Sequence, residues 1–431
     1  MSSAFLPAFH SLLCIVTALA VLVVGQRRHW RFEYALIAAS FALACVRGIW
    51  PWDWVVMAVR SCFDMTLLGL LCALTSILLL SGAMDQSGQA KRMADGVKLL
   101  IHSTKVRLMF FPALVGLLPV PGGAVFSCPM VHEVAKDSPL PPPHLSAINY
   151  WFRHIWEAVW PLFPGFILYC ALSELTPFEV ITYNWPIWLA GLFAGWLCFL
   201  RNIPKDLTCN DSAPEEAAGI RPSRWTALKE STSLLSGLVG AFALRALFPQ
   251  IPAGFTFAAG FCLGVGVCLW TNRLPVASTL APILTSEKTT GILRVVIAIF
   301  IFKGVMLQSN AINGLGALIE GSQAALFVAC IILPILGGVF TGIQVGLVGI
   351  TFPILVPMVQ HAGLWDERIV WLGLASMCGY IGQMISPVHV CLIVTCRFFG
   401  TGMGTVMRQM GKPCLILLAT AVAWFALHVS W

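Results

Sequence analysis

The sequence predicts an all-α membrane protein with about ten transmembrane helices and two re-entrant hairpins, built as two inverted-topology repeats. Three observations lead there. Only 10% of the 431 residues are charged and 58% are hydrophobic, with a mean hydropathy of +0.85; a soluble domain carries about 25% charged and about 45–50% apolar residues. Apolar runs long enough to span lipid, roughly 20 residues each, recur along the chain. Two further apolar stretches are interrupted by clustered Gly and Pro. The composition excludes a soluble enzyme, a disordered chain and a nucleic-acid-binding module. The net charge of +7 lies in short segments between apolar runs, as in loops on the inner side of a membrane. The 15 Cys are scattered without a C-x-x-C pair and read as small core hydrophobes.

The ten spans fall at about 5–24, 33–50, 65–83, 149–172, 180–200, 231–249, 253–271, 292–310, 370–396 and 413–430. The runs are long and continuous, unlike the alternating segments of a β-barrel. The first run has no basic residue before it and is followed by Arg27, Arg28 and Arg31, the reverse of a secretory signal. It reads as a retained helix with its N-terminus outside.

Charge asymmetry fixes the rest of the topology. With both broken stretches, at about 108–132 and 326–358, entering and leaving on one side, the inner segments hold twenty of the 26 Lys and Arg residues. The outer segments hold Arg47, Arg60, Arg245 and Arg368, and Arg153 and Lys303 fall within spans. A full crossing by either stretch would move the later basic loops outside. Both termini are then outside. Residues 201–230, polar and Pro-containing, read as a cytoplasmic linker. On either side of it, in 1–200 and 231–431, the same order recurs: three spans, a broken hairpin, two spans. The halves start on opposite sides, an architecture common among secondary transporters.

The first hairpin tip contains Pro119, Pro121, Gly122, Gly123, Ala124, Ser127 and Pro129. Clustered Pro and Gly cannot continue a helix, and the freed backbone groups survive at membrane depth only inside protein or along a cavity. Such a tip offers helix N-terminal amides to an anion; a kinked span with packing glycines is the plainer reading. The second tip contains Thr341, Gly342 and Gln344. These side chains either bind a ligand and cap a half-helix or join helices by hydrogen bonds.

A polar stripe follows each hairpin. Asn149, Arg153 and Glu157 are spaced i, i+4, i+8 on one helical face. Pro161 frees the Glu157 carbonyl and Pro164 that of Trp160. Intramembrane charges are usually paired or line a pathway, so Arg153 and Glu157 form either a structural pair or part of a site. In the second half Pro387 frees the Gln383 carbonyl, and Ser386 and His389 are spaced i, i+3. His389 sits in an apolar run, where it titrates, binds an anion or packs as a core histidine.

Pro121-Gly122-Gly123, the run Asn149-Tyr150-Trp151-Phe152-Arg153-His154-Ile155-Trp156-Glu157, Trp160-Pro161 and Ser386-Pro387-Val388-His389 together resemble a family of uncharacterised prokaryotic integral membrane proteins. That family is grouped with the ion-transporter superfamily of divalent-anion/sodium symporters and citrate and gluconate permeases. The resemblance covers nearly the whole chain. It implies two hairpin tips meeting near the membrane midplane, a substrate and cation site between them, and a homodimer in the inner membrane moving by an elevator-like mechanism. The Ser-Asn-Thr tip motifs of the dicarboxylate/sodium branch are absent here; Pro-Gly-Gly and Thr341-Gly342 stand in their place.

The resulting expectation is a permease for a small organic anion, coupled to Na⁺ or H⁺, with no other cofactor and no nucleic-acid partner. The tips supply amides, Arg153 or His389 meets the anion, and Glu157 and Gln383 serve the coupling ion. A cation/proton antiporter of the same layout, using Glu157, is the alternative. No H-E-x-x-H, G-x-S-x-G or ATP-binding loop points to an enzyme or a primary pump.

Overall fold

The computed structural model describes residues 2–98, 101, 103–117, 123–136, 138–203, 224–311 and 322–429. Among these residues every regular element is helical. The first half runs α1 (Ser2–Arg27), α2 (Phe32–Val46), α3 (Pro51–Cys62), α4 (Met65–Gln86), α5 (Gln89–Lys98), α6 (Thr104–Gly116), α7 (Gly123–Val134) and α8 (Pro142–His154). A 3-10 turn (Ile155–Ala158) leads to α9 (Pro164–Ser173) and α10 (Pro177–Gly195), which continues to Leu200. After the short α11 (Arg224–Glu230) come α12 (Thr232–Leu247), α13 (Ala253–Thr271), α14 (Val276–Thr285), α15 (Glu287–Gln308), α16 (Gln323–Thr341), α17 (Gln344–His361), α18 (Arg368–Met384), α19 (Val390–Phe398) and α20 (Met403–His428).

Elements of similar kind recur in the same order. The pair α1–α2 corresponds to α12–α13, and the short α3 to α14. Helix α4 corresponds to α15, each of 22 residues. The antiparallel pair α6–α7 matches α16–α17, the interrupted α8–α9 matches α18–α19, and α10 matches α20.

Among the described residues, six helices are long and apolar enough to cross a membrane: α4, α13, α15, α16, α17 and α20. That is the character of a multi-pass membrane protein. Helix α9 and the extended α10 pass the same test together, bent by 115°. The figure is below the ten spans expected because several expected spans are interrupted. The stretch 149–172 breaks at residues 155–163, and 370–396 breaks at 385–389. Pro161, Pro164 and Pro387 lack the N–H that would carry the helix on. Helices α2 and α12 have 15 and 16 residues, short of a full lipid crossing.

The substantial helix contacts fall into two groups. Helices α1–α5 and α11–α15 pack with one another, and α6–α10 pack with α16–α20. The groups meet through α4–α9, α15–α17 and α5–α6. In the first group α12 and α13 approach through small residues, with Gly260 against Ala241 and Gly264 against Gly237.

Polar residues that the charge pattern assigns to one side meet there. Glu33 pairs with Arg31 at 3.1 Å and with Arg294 at 3.2 Å, and Glu287 pairs with both arginines. Arg92 reaches Glu230 at 3.0 Å, and Lys105 Nζ donates to the Arg201 carbonyl at 3.2 Å. On the opposite assignment, Arg47 donates to the Ser309 carbonyl at 3.0 Å and Arg368 to the Ser173 carbonyl at 3.2 Å.

The second hairpin turns in two residues, Gly342 and Ile343. Gly342 has φ +62°, the left-handed region, and accepts no side chain without strain. Its N–H donates to the Gly338 carbonyl at 2.8 Å and closes α16. Gly342→Ala is expected to lower unfolding stability by about 1–2 kcal/mol, because an added Cβ would also lie 2.9 Å from the His389 nitrogen. Thermal or denaturant unfolding in detergent measures it; an unchanged transition would show that the turn relaxes freely.

Candidate functional site

Two interrupted helices and the turn of the second hairpin bring their broken backbone to one place. Helix α8 is buried over Leu145–His154 and gives way to the 3-10 turn, where Glu157 sits. Carbonyls freed by the break find side-chain donors, as backbone buried away from water requires. Gln344 Nε2, from the second hairpin, donates to the Glu157 carbonyl at 2.9 Å. Asn184 Nδ2 donates to the Ala158 carbonyl at 2.9 Å. Trp156 and Trp160 turn the other way: their indole N–H groups donate to the Ala113 and Leu117 carbonyls, both at 2.8 Å. They satisfy the open C-terminal end of α6. Gly116 lets that arm close in, since a Cβ there would overlap the Arg153 carbonyl oxygen.

The second break is held in the same way. Ser386 Oγ donates to the Val339 carbonyl of α16 at 2.7 Å and accepts from the Val388 N–H at 3.3 Å. The Gln383 carbonyl freed by Pro387 accepts from the Ser386 N–H at 3.1 Å. Thr341 Oγ1 donates to its own helix, at the Gly337 carbonyl, 2.8 Å away. Thr341 and Ser386 are therefore bound to backbone and shape the hairpin.

A cavity of about 180 Å³ lies between these pieces. Arg153, Glu157, Gly342, Gln344, Gln383 and His389 line it, six of the residues singled out in the sequence. His154, Cys391, Gly116 and Gly165 join them, together with Ile292 of α15. Ala124, Ser127 and Asn149 are buried on α7 and α8, outside the cavity lining. Asn149 Nδ2 reaches Cys128 Sγ at 3.2 Å and Thr395 Oγ1 at 3.1 Å, tying α8 to α7 and α19. Gly123 opens α7, and Pro121 and Gly122 lie outside the described residues.

Arg153 and Glu157 do not pair. The 3-10 turn rotates Glu157 off the face it would share with Asn149 and Arg153 in a continuous helix. Glu157 Oε2 instead accepts from Gln383 Nε2 at 2.7 Å, and its Oε1 lies 3.9 Å from His154 Nε2. Arg153 is 8% exposed and donates from Nη2 to Cys391 Sγ at 3.2 Å. Its Nε and Nη1 have no partner, and neither do the side-chain oxygens of Gln344 and Gln383. Buried polar atoms are normally satisfied. The residues lining the cavity thus carry guanidinium nitrogens and amide oxygens that no protein group satisfies.

Beside them runs a chain of aromatic groups. His154 Nδ1 lies 2.7 Å from the Tyr150 carbonyl, which can only accept, so this nitrogen carries the hydrogen. His154 Nε2 then accepts from His389 Nε2 at 3.1 Å, and His389 Nδ1 accepts from the Tyr150 hydroxyl at 3.0 Å. His154 and Cys391 are site residues in the structure that are not among the candidates named from the sequence. Their signals were present: His154 and Glu157 are spaced i, i+3, and Cys391 stands two residues beyond His389.

The site thus belongs to an all-helical protein of multi-pass membrane character. The chain is a member of the family described as "Protein of unknown function (DUF401)", which matches residues 8–213 and 279–430. The matched ranges include every residue that lines the cavity. No curated protein matches the chain.

Removing the Gln383 amide leaves Glu157 Oε2 buried without that donor. Gln383→Leu is expected to cost about 1–3 kcal/mol of unfolding stability, and Glu157→Leu added to it to restore part of the loss, since removing both partners approaches neutrality. A double-mutant cycle by detergent unfolding reads the coupling. Additive losses would deny that the two side chains act as a pair.

Proposed function

We propose that the protein is a secondary active transporter, a permease for a small organic anion coupled to Na⁺ or H⁺. The observation that carries the reading is Arg153: a buried guanidinium in a cavity at the junction of two broken helices and a hairpin tip, with Nε and Nη1 free to bind. An oxyanion takes those donors at two points. Glu157 and Gln383 serve the coupling cation. Gln344 and Gln383 offer their unpartnered oxygens toward it.

The architecture we propose has about ten transmembrane helices plus two re-entrant hairpins. These form two inverted repeats, at 1–200 and 231–431, on either side of a cytoplasmic linker. The recurring element order and the meeting of same-side polar residues support that reading. Both termini lie outside a prokaryotic inner membrane, and the working unit is a homodimer. The division of helices into two packing groups supports an elevator-like movement as the route to alternating access. Kinship with the ion-transporter superfamily belongs to the same proposal. A cation/proton antiporter is the second reading. It is favoured by Glu157, a buried carboxylate on the cavity wall with no Arg or Lys within ion-pair distance among the described residues.

Counterflow in proteoliposomes over a panel of small carboxylates tests the first reading. Wild type is expected to show saturable exchange, and Arg153→Ala to lose about tenfold or more, the value of one charge-assisted hydrogen bond. Unimpaired exchange by Arg153→Ala would remove that residue from the site. Dissipation of a pH gradient by Na⁺ without any organic anion would favour the antiporter.

A further inference from the structure

The His154–His389 contact fits a second chemistry. The Nε2 atoms of the two rings face each other at 3.1 Å, and Cys391 Sγ lies within 4.8 Å of both ring ligand atoms. Two imidazole nitrogens on one tetrahedral ion, with metal–nitrogen bonds of about 2.0–2.1 Å, stand roughly 3.3 Å apart. The observed spacing therefore needs only a small adjustment to admit an ion.

The surroundings match what metal-ligating histidines require. Such a histidine almost always donates its other ring N–H to a carbonyl or carboxylate, which fixes its orientation. His154 Nδ1 already does so to the Tyr150 carbonyl at 2.7 Å. His389 Nδ1 has the Tyr150 hydroxyl at 3.0 Å and the Gln383 carbonyl at 3.4 Å. Glu157 Oε1, 3.9 Å from His154 Nε2, is a carboxylate on the same cavity wall that balances added positive charge. Arg153 Nη2 donates to the Cys391 sulfur at 3.2 Å, a contact that a metal-bound thiolate also accepts.

We propose that His154, His389 and Cys391 form a binding site for a borderline-soft divalent transition ion of the zinc class. Two imidazole nitrogens and a sulfur suit such an ion and not Mg²⁺ or Ca²⁺, which take oxygen ligands. Binding is a ligand exchange with no change of oxidation state. The Cys391 S–H bond breaks, the sulfur–metal bond forms and the proton leaves to water. His389 carries its ring hydrogen on Nδ1 instead of Nε2. Tyr150 Oη then accepts from it, and turns its own hydrogen to the Gln383 carbonyl, 3.4 Å away. Three protein ligands leave the fourth tetrahedral position to the cavity, where an anion held by Arg153 can reach it. The site stands apart from the transport reading, because it is read by metal binding alone.

The test uses the full chain, purified in detergent and stripped with a chelator. Co²⁺, a spectroscopic substitute for Zn²⁺, is expected to bind one per chain with a sulfur-to-cobalt charge-transfer band, and Zn²⁺ to displace it. Mg²⁺ is expected to do neither. Cys391→Ser should lose the band, and His389→Gln and Cys391→Ser should each weaken Zn²⁺ binding at least tenfold. Wild-type protein lacking the thiolate band overturns the proposal without reliance on any variant. So does Zn²⁺ affinity unchanged in both variants.

Discussion

The structure turns on one requirement: a helix broken inside lipid must find partners for the backbone groups it exposes. The Glu157 carbonyl, set free by Pro161, is the clearest case. Its donor is Gln344, 187 residues away at the start of α17. That single bond joins the first broken helix to the second hairpin and so to the other half of the chain. The indoles of Trp156 and Trp160 tie the same break to the end of α6. Ser386 ties the second break to α16. Each break is thus held by a hairpin, and the polar side chains carried near the breaks are brought together as a result. The cavity is where those obligations converge, and its unsatisfied atoms are the ones left after the backbone is served.

Much of this was legible in the sequence because Pro and Gly act locally. Pro161, Pro164 and the turn at Gly342 mark breaks by removing an N–H or by needing a left-handed φ, and both effects are visible in a few residues. The apolar runs marked most of the helices for the same reason. The break at Pro387 is legible only in part: the freed Gln383 carbonyl follows from the missing N–H, yet the apolar run 370–396 reads as one span. Partners were the harder matter. Periodicity says which residues share a face while the helix continues. It fails once a 3-10 turn intervenes, as it does between Arg153 and Glu157. The alternative of a structural pair gives way to Arg153 with Cys391 and Glu157 with Gln383, contacts across more than 200 residues. Thr341 and Ser386 were candidate ligands by type, and their hydroxyls proved to be claimed by nearby carbonyls. His154 was hidden beside Arg153, since only the fold turns it toward His389.

The location of the cavity within the two packing groups bears on how such a site could work. Gly116, Arg153, His154, Glu157, Gly165, Gly342, Gln344, Gln383, His389 and Cys391 all belong to the group formed by α6–α10 and α16–α20. Among the described residues, Ile292 of α15 is the lining residue contributed by the other group, and it is apolar. Among the described residues, every polar group lining the cavity is therefore carried by one packing group. On the transporter reading, sliding that body against the first would take the polar site with it intact, exchanging only the apolar wall at Ile292. A site whose charges were divided between the bodies would have to break ion pairs or hydrogen bonds at membrane depth in every cycle, where each unsatisfied group costs several kcal/mol. On that reading the bond between Gln344 and the Glu157 carbonyl lies wholly within the group that would move, so the backbone of the broken helix would stay satisfied through the cycle. On the transporter reading the arrangement thus separates two demands, a polar centre held within one group and an apolar wall against which it would move.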